Sequence, residues 1–429
     1  MVDPYRCETA VAAGEDPRSY ARLMSAVHEA AMSGRRGPAR PRGIIEESWR
    51  RLLSQGVDPD RRSAPVVETG GLENLRRSSG LMTVLEEISR GLESVVAEGT
   101  SILVVADAQG RVLWRSGVSA LLNRADRLGF VEGAKWSEDE VGTNAVGTAL
   151  VSNRAVQVFS AEHFLRSHHP WTCAGSPIRD PRTGQVIGVV DLSGPAPTVH
   201  PTTVALVDAI ARLAESQLRE QHDRTLNRLR ALAAPLLARF AAPALAVDAH
   251  GWVAAVSALP QHNRIMLPDD ISAGRSWIPA LGLCDIELLP GGWMVRPTTA
   301  EAPVAANGAA LDLSNPSRPT LEITGELGHW RQSLSLRHSE ILLILARDPL
   351  GRSAPELAVD LYGDRSKVVT VRAELSRLRK QFAGLIDSQP YRFAPGVEVT
   401  VRYPDKRCLV LPSSSAPAIH AIRDDENAG

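Results

Sequence analysis

The sequence predicts a multidomain α/β protein of the α+β kind, and three observations carry that expectation. Its 429 residues exceed one ordinary globular domain, which runs about 100–200 residues. Short apolar runs bounded by turn signals, such as "SILVVADAQGRVLW", are interspersed with stretches of helical periodicity. Hydrophobic residues make up 44% and charged residues 23%, a composition that excludes wholesale disorder. The formal net charge of −1 exerts no global pull on polyanions, so any basic surface is local.

Cys7, Cys173, Cys284 and Cys408 lie far apart with no CxxC pair. This argues against a disulfide scaffold or a zinc ribbon and for a reducing compartment. No apolar run approaches the roughly 18–20 residues of a membrane span, and "MVDPYRCETAVAAGEDPRS" lacks the apolar core of a signal peptide. The expected location is cytoplasmic, with no membrane partner.

The elements follow in order. Residues 1–70 read as a helical segment, with helices at 17–33 and 43–55. Ile45, Trp49, Leu52 and Leu53 share one face of the second, and "GVDP" stops it. Between them Arg35, Arg36, Arg40 and Arg42 suit either a phosphate backbone or a solvated linker. Residues 72–96 read as one amphipathic helix, followed by strands in "TSILVVADAQGRVLWRSG", "AVQVFS" and "GQVIGVVDLSG". Residues 202–240 form a long helix in which Leu206, Ile210 and Leu213 make a 4-3 seam. That seam fits a twin helix or the helix's own domain equally well. A second, smaller α/β unit spans 241–310, built on "PALAVDAHGWVAAVS" and "CDIELLPGGWMVRP". The final unit runs over 325–411, and 412–429 reads as a disordered tail.

"VGTNAVGTAL" at 141–150 has the glycine spacing of a phosphate-binding P-loop. Thr148 stands where that loop needs lysine, and no other stretch of the chain supplies the motif. Its small residues allow close backbone approach. Thr143, Asn144 and Thr148 offer polar contacts, while Trp114, Trp136, Phe159 and Trp171 offer apolar walls, the make-up of a small-molecule pocket. The same stretch also fits a helix start with Thr143 or Asn144 as N-cap. "EHFLRSHHPWTC" gathers Glu162, His163, His168, His169 and Cys173. His163 and Cys173 join the pocket candidates, and Cys173 is also a candidate oxidant sensor. The spacing matches no closed metal signature, and no catalytic residues are expected.

These blocks, with "SWRRLLSQGVDP" upstream, W-x(5)-GTNA-x-GTAL, EHF, W-x-C-x-x-P-I and GVVDLSG in order, resemble the sensory GAF domain of the acetoin-catabolism activator family. The resemblance covers roughly residues 40–200 and implies a ligand-sensing GAF-like domain over 71–201; beyond it, 202–240 reads as a signalling helix and 241–310 as a PAS-like unit. Such regulators normally carry a central AAA+ ATPase, and these 429 residues contain no Walker motif. A ketone, an aromatic, a nucleotide, haem or no occupant at all are each compatible, so no cofactor is assigned.

Residues 334–393 read as helix, turn, helix, short turn, helix, strand pair. Ser353 caps the second helix, Pro355 lies in its first turn and Gly363 ends it. In the third helix Val371, Leu375, Leu378 and Phe382 must face the core. Val369, Ala373, Ser376, Arg377 and Lys380 then point outward, with Arg372 and Arg379 on one flank and Thr370 beside Arg377. Six basic residues and one acid lie between Arg365 and Lys380, which suits a helix in the DNA major groove. "VTVRAELSRLRKQF" with "YRF" resembles the winged-helix output domain of bacterial response regulators. That resemblance assigns Arg377 to base reading, Arg379 to phosphate and Arg392 to the wing. Pro390 departs from it, standing where glycine is usual.

The expected function is a one-component transcription regulator that binds double-stranded DNA as a homodimer, with RNA polymerase a further candidate partner. A regulator acting through protein partners, or a redox switch at Cys173, is the alternative.

Overall fold

The computed structural model describes residues 9–61, 69–240, 242–268, 271–278, 281–298, 307–316, 318–325, 328–382 and 385–424. The chain divides into two compact units, Met1–Gln221 and His222–Gly429.

In the first unit, α1 (Pro17–Met32) starts at Asp16, whose carboxylate accepts the backbone N–H groups of Arg18 and Ser19. α2 (Gly43–Ser54) buries Ile45, Ser48, Trp49 and Leu52, whereas Leu53 faces out. Both helices share one apolar cluster with the following sheet, so residues 17–54 are not a separate segment. The single helix expected over 72–96 is two, α3 (Thr69–Ser78) and α4 (Met82–Ala97). Gly80 between them has φ +74°, a left-handed value through which a helix cannot continue.

Then follow β1 (Ile102–Asp107), β2 (Val112–Ser116), α5 (Ser119–Asp126), α6 (Glu138–Val141), α7 (Ala145–Ser152), β3 (Val156–Phe159), β4 (Trp171–Arg179) and β5 (Val186–Pro195). The strands form an antiparallel sheet in the order β2-β1-β5-β4-β3. Both faces of β1 are covered: Ile102, Val104 and Ala106 enter the cluster with α1, α2, α5 and α7, while Leu103 and Val105 enter the opposite one. Such two-sided burial explains why "ILVVA" is continuously apolar.

α8 (Thr202–Leu237) crosses the division between the units. Its first turns pack Val204, Val207, Ile210, Ala211, Ala214 and Leu218 onto α4 and the sheet. Of the expected seam only Ile210 is inside; Leu206 and Leu213 are 36% and 47% exposed.

The second unit holds β6 (Ala244–Val247), β7 (Val253–Ser257), β8 (Gly274–Ile278), β9 (Gly282–Leu289) and β10 (Gly292–Pro297), ordered β7-β6-β10-β9-β8. This repeats the strand order of the first sheet. Even the irregularity recurs: a register shift falls between Val105 and Ala106 in one sheet and between Ala246 and Val247 in the other. Each is followed by Asp-Ala-x-Gly-x-Val, in which Oδ1 of Asp107 or Asp248 accepts two backbone N–H groups of the turn. No helix occurs among the described residues of 241–310; the helical cover comes from Ala233 and Leu237 of α8.

The expected final unit starts earlier than 325. β11 (Gly308–Asp312) pairs with β12 (Thr320–Gly325), and β12 pairs with β13 (Gly328–Ser333). A boundary at 325 would cut that last hairpin. Next come α9 (Leu336–Arg347), α10 (Ala354–Tyr362), α11 (Val368–Gln381), β14 (Ile386–Asp387), β15 (Arg392–Phe393) and β16 (Glu398–Arg402), the last parallel to β11. Residues 412–424 are not a frayed tail. α12 (Pro417–Asp424) buries Ile419 and Ile422 in the same core as α9–α11, and 425–429 lie outside the described residues.

Candidate functional site

Strand alternation builds the floor of a cavity in the first unit. Trp171 and Cys173 of β4 lie on the same face as Asp191 and Ser193 of β5, and Cys173 is the register partner of Ser193. Over them sit Asn144, Ala145 and Val146 at the start of α7, Leu128, Phe130 and Trp136 from the preceding loop, and His163 and His168. The space between them is about 10 Å³, room for about one water molecule.

The walls are apolar and aromatic. Trp136 lies 4.0 Å from Phe130 and stacks on His168 at 4.9 Å between ring centroids. Three polar atoms stand out against them. His163 Nε2, His168 Nδ1 and Asp191 Oδ1 are buried without a hydrogen-bond partner among the described residues. Asp191 Oδ2 accepts from Ser193 Oγ at 2.6 Å. Burial pushes His163 down to about 4 and His168 to about 3, so both imidazoles are neutral at pH 7. Burial also lifts the Asp191 carboxyl to about 7 and raises the Cys173 thiol well above its ordinary value. A thiol so disfavoured as thiolate is a poor nucleophile toward oxidants. Among the described residues no three His, Cys, Asp or Glu side chains are arranged to hold a metal ion.

Five of the nine pocket candidates therefore meet at the cavity: Trp136, Asn144, His163, Trp171 and Cys173. The other four serve elsewhere. Thr143 and Thr148 belong to a buried knot, in which Thr148 Oγ1 and Ser48 Oγ donate to Glu138 Oε1 at 2.6 and 2.8 Å. Arg51 donates to Glu138 Oε2 at 2.8 Å, and Thr143 Oγ1 meets Ser48 Oγ at 2.7 Å. Phe159 packs with Ala10 and Val11 beneath Tyr20. Trp114 faces the opposite side of the sheet, because the register shift after Val105 skips Leu113 and sets Trp114 against Val105.

The same knot decides what "GTNAVGTAL" is. Asn144 caps α7, its Oδ1 accepting from Gly147 N at 2.9 Å and its Nδ2 donating to Gly142 O at 2.8 Å. A Cβ on Gly142 would lie 2.7 Å from that of Phe164, and one on Gly147 only 2.6 Å from Glu138 N. The glycines serve close packing. A phosphate could not enter.

A layer of N-terminal helices closes over the 160–169 loop. Glu162, fully buried, accepts from Tyr20 Oη and Arg42 Nε at 2.8 Å and from Phe159 N at 3.0 Å. Arg42 also donates to Gln157 O at 2.6 Å, and Trp49 Nε1 to Glu162 O at 3.0 Å. His28 Nε2 lies 2.9 Å from Phe164 O, and its ring meets that of His169 edge-on at 4.8 Å. His28 escaped sequence reasoning because nothing local marks it. Asp191 and Ser193, in "GVVDLSG", carried a readable signal, a carboxylate in an otherwise apolar strand.

In the second unit the trihelical core orients α11. Ser353 and Glu356 form a capping box for α10, and Gly363 ends it at φ +66°. Val371, Leu375, Leu378 and Phe382 are no more than 1% exposed. Thr370, Arg372, Ala373, Ser376, Arg377 and Arg379 are exposed. Lys380 belongs to α11, but its side chain lies outside the described residues. Arg377 pairs with Glu374, which also meets His338 Nε2 at 3.4 Å. Arg379 Nε donates to Ile386 O at 3.3 Å.

Arg372, Ser376 and Arg379 line an open hollow together with Tyr391, a residue absent from the sequence-derived set. Tyr391 is fixed there because its backbone exchanges two 2.9 Å hydrogen bonds with Arg352, ahead of α10. Arg392, on β15, is half-buried and outside the hollow.

Residues 31–220 match the MimR N-terminal domain family. Over 441 aligned residues the chain is 30% identical to the uncharacterized 47.3 kDa protein of the thcA 5' region of Rhodococcus erythropolis, covering 97% of this chain and 82% of that one. The chain belongs to that protein's family. It is also 35% identical over 182 residues to the acetoin dehydrogenase operon transcriptional activator AcoR of Bacillus subtilis. Against the propane 2-monooxygenase operon transcriptional activator MimR of Mycolicibacterium smegmatis it is 29% identical over 182 residues. Each of these two matches spans 42% of this chain and 30% of the activator. The named relatives are regulators of transcription, not enzymes. No described helix is long and apolar enough to cross a membrane.

Proposed function

We propose that this family member is a cytoplasmic, DNA-binding transcription regulator that senses a small uncharged molecule in its N-terminal unit. The carrying observation is α11: its four core residues are buried, its described arginines and small residues face out, and Tyr391 lines a hollow with Arg372, Ser376 and Arg379. A major groove accepts a helix with such a face, and the flanking guanidinium groups are placed for phosphates. Two copies on paired half-sites gain effective concentration, so the binding form is a homodimer, and RNA polymerase is the further partner of a promoter-bound regulator.

The cavity restricts the signal. At about 10 Å³ it excludes haem and nucleotides without wholesale rearrangement. Neutral imidazoles and a carboxyl lifted to about 7 favour an uncharged molecule with a hydroxyl or carbonyl group, and any occupant larger than a water must widen the space as it binds. Regulation then requires that the occupant bind one arrangement of the unit more tightly than another. The raised Cys173 thiol lends no support to a redox switch.

The test is binding of the full chain to the duplex upstream of its own gene, followed against salt. Affinity should fall steeply with salt. Arg377→Ala should relax preference at one base position, costing about 1–3 kcal/mol there, and Arg379→Ala should weaken all sequences alike. Equal affinity of wild type and both variants would remove α11 from the interface.

A further inference from the structure

Val369 is out of place by the logic of folding. Along α11, Val371, Leu375 and Leu378 are at most 1% exposed and Val368 is half-buried against the same core, whereas Val369 is 78% exposed. It contributes nothing to the core, and a β-branched residue in a helix is mildly unfavourable. At 100° per residue it lies on the outward stripe, in line with Ala373 and Ser376 at i+4 and i+7. Both of those side chains are exposed and small. The stripe therefore begins with a compact apolar knob, continues over a flat surface, and runs between Arg372 on one edge and Arg377 on the other.

The surroundings say what such a knob meets. Six basic residues and one acid occupy 365–380, so the complementary surface is anionic. An anionic surface that also offers an isolated apolar group to a groove-bound helix is the DNA major groove, where the C5-methyl of thymine is that group. Resting on the DNA-binding reading above, we propose that Val369 is a specificity-determining residue that reads a thymine methyl in each half-site, with Ala373 leaving room for close approach. A solvated or partner-facing valine would have no such preference.

The experiment uses the full chain and a duplex selected from a randomised pool at low ionic strength. Each thymine of the selected site is replaced in turn by deoxyuridine, which deletes only the methyl. One replacement per half-site should weaken wild-type binding roughly three- to fivefold, the worth of one buried methyl group. Val369→Ala should bind the thymine and deoxyuridine duplexes alike, and Val369→Thr, which keeps one methyl, should retain part of the discrimination. Because Val369 is exposed, all variants should keep the wild-type thermal midpoint. The proposal is overturned if every deoxyuridine duplex binds wild type as tightly as its parent, or if Val369→Ala keeps the full ratio. If the pool yields no retained duplex for wild type, the DNA-binding reading fails and this one with it.

Discussion

His168 shows how much a single residue's meaning depends on its surroundings. In sequence it is one of a basic pair; in the fold it is a neutral ring stacked on Trp136. Burial holds it at about 3 and its neighbours His163 and His169 at about 4, against about 6.5 in an unfolded chain. As pH falls below 6.5 the unfolded state takes up protons that the folded state refuses, so stability is lost from there down to the folded values. Asp191 has the opposite sign: lifted to about 7, it gains stability on acidification until about 3.8, offsetting one histidine. Within this cluster, three imidazoles against one carboxyl contribute a net loss between pH 6.5 and 4. His168→Gln should flatten that loss by about 1.4 kcal/mol per pH unit, read from urea midpoints at pH 6, 5 and 4. An unchanged slope would mean that His168 is charged in the folded protein. Glu162 and Glu138 make the related point for carboxylates: each is buried against an arginine and fastens α2 or the loop before it. Removing one partner from such a pair leaves an uncompensated charge.

At the scale of elements, periodicity was informative wherever one face alone is buried. The core stripe of α11 and the caps of α10 follow from spacing and from Ser353, Glu356 and Gly363. Periodicity misled where a local feature intervened: Gly80 divides α3 from α4, and a register shift carries Trp114 across the sheet. It also misled at α12, where a Ser/Pro/Ala-rich stretch reads as a tail, yet Ile419 is fully buried. Arg423 reinforces that docking by donating to Val410 O at 2.8 Å. Ile419→Ala should therefore cost about 2–5 kcal/mol in thermal or urea unfolding. A change near zero would return α12 to the status of a tail.

For the whole molecule, the two compact units predict unfolding in more than one transition, since each has its own cores. His168→Gln should alter only the transition of the first unit and Ile419→Ala only that of the second. A single transition moved by both would make the cores one cooperative body. The Asp-Ala-x-Gly-x-Val turn recurs in the sequence, but the repeated strand order of the two five-stranded sheets was not legible from it, because pairing between strands distant in the chain fixes that order. By itself the sequence determined the mixed α/β class, the trihelical segment, the outward residues of α11 and the absence of a P-loop, because local spacing, capping and composition encode each of these. The tertiary structure alone decided that Asp191, Ser193 and the 163–173 stretch share a cavity with Phe130, that Thr143 and Thr148 are packing groups, and that Tyr391 lines a hollow with residues of α11. Those outcomes depend on strand register and on contacts between residues distant in the chain, which no local pattern of side chains records.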